Sequence, residues 1–181
     1  MPATRMPSRT GTSFSRPITN KSRPKTTSTS TGHDCPDNDL VCAVSESRGI
    51  SPSVGLAFVN LTTCEAALCQ FADTQTFART CHKIKVFSPS EIIFATTAAE
   101  SKLISIITEN LNVQEDGIGM NAIDRRYWAE SAGFDYLDRL AFPSDLEALK
   151  SSLAGNFFAV CCFSAVCEGS STSESANVYR Y

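Results

Sequence analysis

The sequence predicts an α/β fold, a mixed five-stranded sheet flanked by helices, behind a disordered N-terminal tail. Three observations carry this. Three short apolar runs rich in strand-forming residues lie between Leu40 and Phe71, joined by short polar connections. The pattern then switches to helix, strand, helix, strand between Gln75 and Asp124, and closes on helical periodicity up to Val166. Residues 1–34 are Ser, Thr or Pro at eighteen positions and hold too little apolar surface to offset the entropy of ordering.

Each element has its own signal. Leu40–Val44 (LVCAV) reads as a buried strand. Gly49 and Ser51-Pro52-Ser53 mark a turn before a second strand, Val54–Val59. Asn60–Thr63 is a hairpin loop and Glu65–Phe71 a third strand; such short loops imply antiparallel neighbours. Asp73 or Thr74 is placed to cap a helix over Gln75–Lys85. Pro89 ends the connection, and Glu91–Ala95 is the fourth strand. Ser101 caps a second helix whose Leu103, Ile106, Ile107 and Leu111 recur at helical spacing. Asn112–Gly119, with Glu115 and Asp116, is a loop before a short fifth strand, Asn121–Asp124. Three helical stretches follow, Tyr127–Gly133, Phe134–Leu140 and Ser144–Leu153, divided by Gly133 and Pro143, with Ser144 and Glu147 as a capping box. Phe157–Val166 begins a strongly apolar helix. Three adjacent strands, then alternating helices and strands parallel to the first, form a ribonuclease H-like layout.

The 181 residues are 42% hydrophobic and 19% charged, which suits one soluble domain with tails. No run reaches the ~20 apolar residues of a membrane helix. Met1–Lys25 lacks the apolar core of a secretory signal, so the eight cysteines are expected to be reduced. Cys42, Cys69, Cys161 and Cys162 sit in apolar runs and read as small core residues. The net charge of -3 hides a split: residues 1–34 carry six Lys/Arg against one acid, and residues 35–181 carry ten against eighteen. A basic arm suits a polyanion, which makes Arg16, Lys21, Arg23 and Lys25 candidate nucleic-acid contacts; Lys21–Lys25 also fits a localisation signal. The acidic body does not suit a DNA clamp, because phosphate neutralisation supplies most non-specific affinity.

Enzymatic readings fail on missing residues. Nucleases of this fold hold two metals on carboxylates in the sheet. Leu40–Val44 has none; Asp39 and Glu46 flank it, and Glu91 opens the fourth strand. The phosphate-cradling pattern Gly-x-x-x-x-Gly-Lys-Ser/Thr is absent, and Gly117-Ile118-Gly119 has no lysine nearby. A zinc reading would use Cys64, Cys69, Cys81 and His82, whose spacing is poor. Cys81 and His82 diverge by about 100° on a helix and do not form a nucleophile–base pair. Arg125 and Arg126 beside Tyr127 and Trp128 form the body's basic–aromatic cluster. It could touch a phosphate or stack on a base; alternatively the aromatics pack and the arginines pair with Asp124 and Glu130. Asn60-Leu61-Thr62 is a formal glycosylation triplet without use inside a cell. No catalytic, cofactor-binding or metal residue is expected.

Asp39–Glu46 (DLVCAVSE) followed by Gly55–Thr63 (GLAFVNLTT) resembles the opening strands of the connector domain of the MutS mismatch-repair family. Ser45–Ile50 (SESRGI), Ile123–Trp128 (IDRRYW) and Gly155–Cys162 (GNFFAVCC) are most similar to its meiosis-specific fourth eukaryotic branch, in a fungal form. The resemblance covers about residues 13–166. It implies a basic disordered tail at 1–38, a connector domain at 39–166, and a divergent polar tail at 167–181. It implies no catalysis and no cofactor in this chain, with ATP and Mg belonging to the ATPase domains of full-length members. For the full-length protein it implies mismatched or branched DNA, Holliday junctions included, as ligand, and a second MutS homologue of the fifth eukaryotic type as partner. It also implies crossover promotion in the nucleus, without a membrane. The fold alone allows a stand-alone protein-interaction module instead. Two departures stand out. Cys64 replaces a glycine at the hairpin, so the turn is expected to differ. Beyond Val166 the family helix gives way to CEGSSTS, with Gly169 as a possible cap. That implies an altered C-terminus and exposure of Phe157, Phe158 and Phe163.

Overall fold

The computed structural model describes residues 39–49, 52–111 and 117–173, with side chains as far as 169. The tail at 1–38, the loop acids Glu115 and Asp116, and residues 174–181 lie outside the described residues. The elements run β1 (Leu40–Glu46), β2 (Ser53–Asn60), β3 (Ala66–Ala72), α1 (Ala78–Phe87), β4 (Glu91–Ala95), α2 (Lys102–Asn110), β5 (Gly119–Ile123), α3 (Glu130–Leu140), α4 (Leu146–Leu153) and α5 (Phe157–Ser173). The sheet order is β3-β2-β1-β4-β5. β2 is antiparallel to β1 and β3, whereas β4 is parallel to β1 and β5. This is the mixed, ribonuclease H-like sheet the sequence predicts.

Strand residues alternate between two cores, as the two-residue period requires. Cys42, Val44, Leu56, Phe58, Ile92 and Phe94 face Ile84 of α1 and Leu103, Ile104 and Ile107 of α2. Val41, Ala43, Ala57, Ile93 and Ala95 face α3, α4 and above all α5. Every side chain from Ala159 to Val166 is buried. A helix buried all round must be apolar all round, and that explains the missing polar face of this run.

Close approach fixes α5. A Cβ at Gly55 of β2 would lie 2.4 Å from the Phe158 carbonyl carbon, and one at Gly133 of α3 would lie 2.5 Å from the Val160 oxygen. Gln70 of β3 then caps the helix from 88 residues away. Its Oε1 accepts from the Phe158 N–H at 2.8 Å and the Ala159 N–H at 3.4 Å, and its Nε2 donates to the Gly155 carbonyl at 3.4 Å. Further along, the Ser164 hydroxyl donates to the Tyr127 carbonyl at 2.9 Å, and Tyr136 of α3 donates to Glu168 at 2.8 Å.

Several local expectations are corrected. α1 begins at Ala78, because Phe77 adopts a left-handed conformation with φ 48° and buries its ring to 2% exposure. Asp73 still serves the helix from seven residues upstream. Its Oδ2 accepts from the Thr80 N–H at 2.9 Å and hydroxyl at 2.7 Å, and its Oδ1 from the Thr74 N–H at 2.7 Å. Ser101 caps α2 as expected, accepting from the Ile104 N–H. Gly133 does not divide two helices: α3 runs through it. Ser144 does not cap α4, whose N-terminal residue is Asp145 without a side-chain cap; the Ser144 hydroxyl bonds Asp145 instead. α5 does not stop at Val166 but continues to Ser173, so the first seven residues of the polar segment are helical. Gly169 sits in the helix, where a Cβ would lie 3.3 Å from Ile123 Cδ1. Phe163 is buried at 4% exposure, and of the three phenylalanines only Phe157 is exposed.

Candidate functional site

The place where a ribonuclease H-like enzyme keeps its central carboxylate is the middle of β1. Here it holds Cys42 and Ala43, both fully buried, in register with Ile92 and Ile93 of β4. The flanking acids stand at opposite ends of the strand. Asp39 is exposed, and its carboxylate accepts from the Thr62 hydroxyl at 2.8 Å. Glu46 lies at the other end of seven residues, about 20 Å away at the usual strand rise. Burial raises the Glu46 carboxyl above its ordinary range, with a hydrogen bond from Ser101 pulling the other way. Glu91 opens β4 beside Val41. Among the described residues no group of three or more His, Cys, Asp and Glu is placed to hold a metal.

Glu46, Arg48, Gln75, Phe77 and Lys102 line a small open cleft of about 220 Å³. That falls below the ~300 Å³ at which small-molecule pockets begin.

The zinc candidates are scattered by environment. Cys64 is exposed in the hairpin, Cys69 and Cys81 are half-buried, and His82 is exposed on α1. The core thiols are quiet. Burial drives Cys42 and Cys162 far above the ordinary thiol range, Cys161 to about 11 and Cys167 to about 12. A thiolate is what reacts, so these side chains are packing groups.

Arg125, Arg126 and Tyr127 form a 3₁₀ turn after β5, capped by Asp124, whose carboxylate accepts from the Arg126 N–H at 3.0 Å. Both arginines are exposed, and the Arg126 guanidinium stands 4.6 Å from the Tyr127 ring centroid and bonds its hydroxyl. Trp128 is 5% exposed and belongs to the α5-side core, and Tyr127 packs against that core. The indole is therefore withdrawn from any base, and its Nε1 has no partner among the described residues. Among the described residues neither arginine closes an ion pair with Asp124 or Glu130, although the Asp124 charge still favours the Arg126 cation. Arg16, Lys21, Arg23 and Lys25 lie outside the described residues.

The signal that sequence reasoning missed is Gln70. A lone polar residue in an otherwise apolar edge strand, AALCQFA, is the only local hint of its capping role.

A ribonuclease H-like sheet with apolar residues at its catalytic position and helices locked to both faces defines a structural module. The family model for MutS domain II matches residues 39–130, and the chain belongs to the MutS family. The matched domain is the connector, which is not itself catalytic. Three curated relatives share the name MutS protein homolog 4. The human protein is 35% identical over 106 residues, covering 56% of this chain and 11% of its own length. The mouse protein is 34% identical over the same span, and that of Saccharomyces cerevisiae is 34% identical over 109 residues, 59% of this chain and 12% of its own length. The chain thus spans about a tenth of the length of these relatives. Among the described residues no helix is long and apolar enough to cross a membrane.

Proposed function

We propose that this chain acts as the non-catalytic connector of a MutS protein of the homolog 4 type, in meiotic recombination within the nucleus. In this reading the full-length protein pairs with a second MutS homologue, holds branched or mismatched DNA, and hydrolyses ATP with Mg in domains other than the connector. The connector's contribution is mechanical. α5 is seated on Gly55, capped by Gln70 and tied to Tyr127 by Ser164, so a displacement at either end is carried into the sheet. The observation that carries the reading is the apolar centre of β1, Cys42 and Ala43, where chemistry would need a carboxylate.

The purified chain, incubated with Mg²⁺ or Mn²⁺ and a four-way DNA junction, is expected to cleave nothing. Metal-dependent cleavage that disappears in Asp39→Asn would contradict the proposal. Whatever junction binding the chain has is expected to be salt-sensitive and to vanish with residues 1–34, because the acidic body repels phosphate. Salt-resistant binding by residues 35–181 would place the DNA contact in the body instead.

A further inference from the structure

β3 ends the sheet, and among the described residues no strand pairs with its outer side. Natural edge strands are blunted by charges, prolines or bulges. β3 reads AALCQFA, with no charge, no proline and an unbroken register against β2 from Ala66 to Ala72. The Asn60 N–H bonds the Glu65 carbonyl and the Asp73 N–H bonds the Pro52 carbonyl. Since bonded pairs alternate in an antiparallel ladder, Ala67, Cys69 and Phe71 bond β2, while the amides of Ala66, Leu68 and Gln70 point outward. The outward carbonyl of Ala72 is already taken, by the Arg79 guanidinium at 3.0 Å.

The two faces beside this edge differ in chemistry. On one face the Phe71 ring lies 5.2 Å from the Arg79 guanidinium and 5.5 Å from the Lys83 ammonium. Neither cation is in an ion pair among the described residues. α1, ARTCHKIKVF, carries no acid, and the nearby Asp73 carboxylate is committed to Thr74 and Thr80. On the other face Leu68 packs toward α5, and Gln70 holds the α5 N-terminus, where Phe157 is 41% exposed.

We propose that the outer edge of β3 is a docking site for an extended segment of a partner protein that alternates acidic and apolar residues. The segment adds a sixth strand through the outward amides. Its acidic side chains meet Arg79 and Lys83, and its apolar ones lie beside Leu68 and the α5 N-terminus. A second copy of this chain is the poorer occupant, because β3-to-β3 pairing would bring two Arg79–Lys83 pairs together. The proposal does not rest on the connector reading.

The test is fluorescence anisotropy of a labelled peptide of alternating Val and Glu, as long as β3, titrated with the full chain at low salt. Saturable binding is expected, weakened about tenfold by Arg79→Glu with Lys83→Glu, and weakened similarly when Lys replaces Glu in the peptide. On the unmodified chain the peptide should slow amide exchange at Leu68 and Gln70, a readout that survives if the double variant fails to fold. Equal binding of the Glu and Lys peptides, no binding of either, or exchange unchanged at β3 would overturn the proposal. So would concentration-dependent dimers that the double variant abolishes, because the edge would then belong to a second copy.

Discussion

Cys64 holds a backbone conformation that glycine would adopt without strain. Its φ is 58°, in the left-handed region, in the five-residue loop Leu61–Glu65 between β2 and β3. A family glycine at this place predicts a different turn around a cysteine; Cys64 itself takes up the left-handed conformation that glycine favours. The Cys64 N–H bonds the Asn60 carbonyl at 2.9 Å, and Asn60 Oδ1 accepts from the Thr62 and Thr63 N–H groups. Three backbone donors thus hold one strained residue, whose left-handed conformation costs about 1–2 kcal/mol. Cys64→Gly should therefore stabilise the chain by roughly 1 kcal/mol, less the added freedom of glycine when unfolded, as measured by urea unfolding. Gln70 predicts the opposite sign. Gln70→Leu leaves the first amides of α5 without their acceptor and should cost about 1–2 kcal/mol in the same experiment. Asp73 contributes to the acid limit of stability. Burial opposes its charge, but hydrogen bonds from Thr80 and Thr74 outweigh it, so its carboxyl sits below the ordinary range. That stabilisation is complete above the unfolded carboxyl's pKa near 4 and is lost as pH falls through the lower folded value. Asp73→Asn should flatten this part of the stability–pH curve in thermal melts between about pH 2 and pH 5.

At the scale of elements, the strands were legible because their signal is local. Apolar runs broken by Asn, Thr, Gly and Pro place β1 to β5 within two residues of where the sequence puts them. Helix ends were less legible, and each miss has a long-range cause. The start of α1 depends on Phe77, whose strain is offset by burying its ring, a gain of about 1.5–3 kcal/mol against about 1–2. The continuity of α3 depends on α5, because Gly133 reads locally as a break but provides the space for Val160. The length of α5 depends on Ile93 and Ile123, which cover Gly169 from the sheet. The close approaches should be unforgiving. Gly55→Ala and Gly133→Ala each force a methyl within about 2.5 Å of α5 backbone atoms, despite alanine's better intrinsic propensity. Each should destabilise by about 1–3 kcal/mol in chemical unfolding. A stabilising result at Gly133 would mean that α3 and α5 are not in contact there.

At the scale of the whole fold, the sheet and the helices on both its faces pack around two cores among the described residues. The sequence showed the missing carboxylates plainly, because an absence at the centre of β1 needs no tertiary information. It could not show that Trp128 is turned inward and Arg125 and Arg126 left outside, since aromatic and basic neighbours look alike whether they pack or bind. The seating of α5 on Gly55 and its cap by Gln70 imply that α5 and the sheet open as a single mechanical unit. Native-state amide hydrogen exchange tests it most directly, because it reports the opening free energy of each segment. Amides of α5 from Val160 to Val166 and those of β1 and β2 are expected to exchange with the same opening free energy, equal to that of global unfolding. An α5 that opens at markedly lower free energy while the sheet stays protected would contradict it.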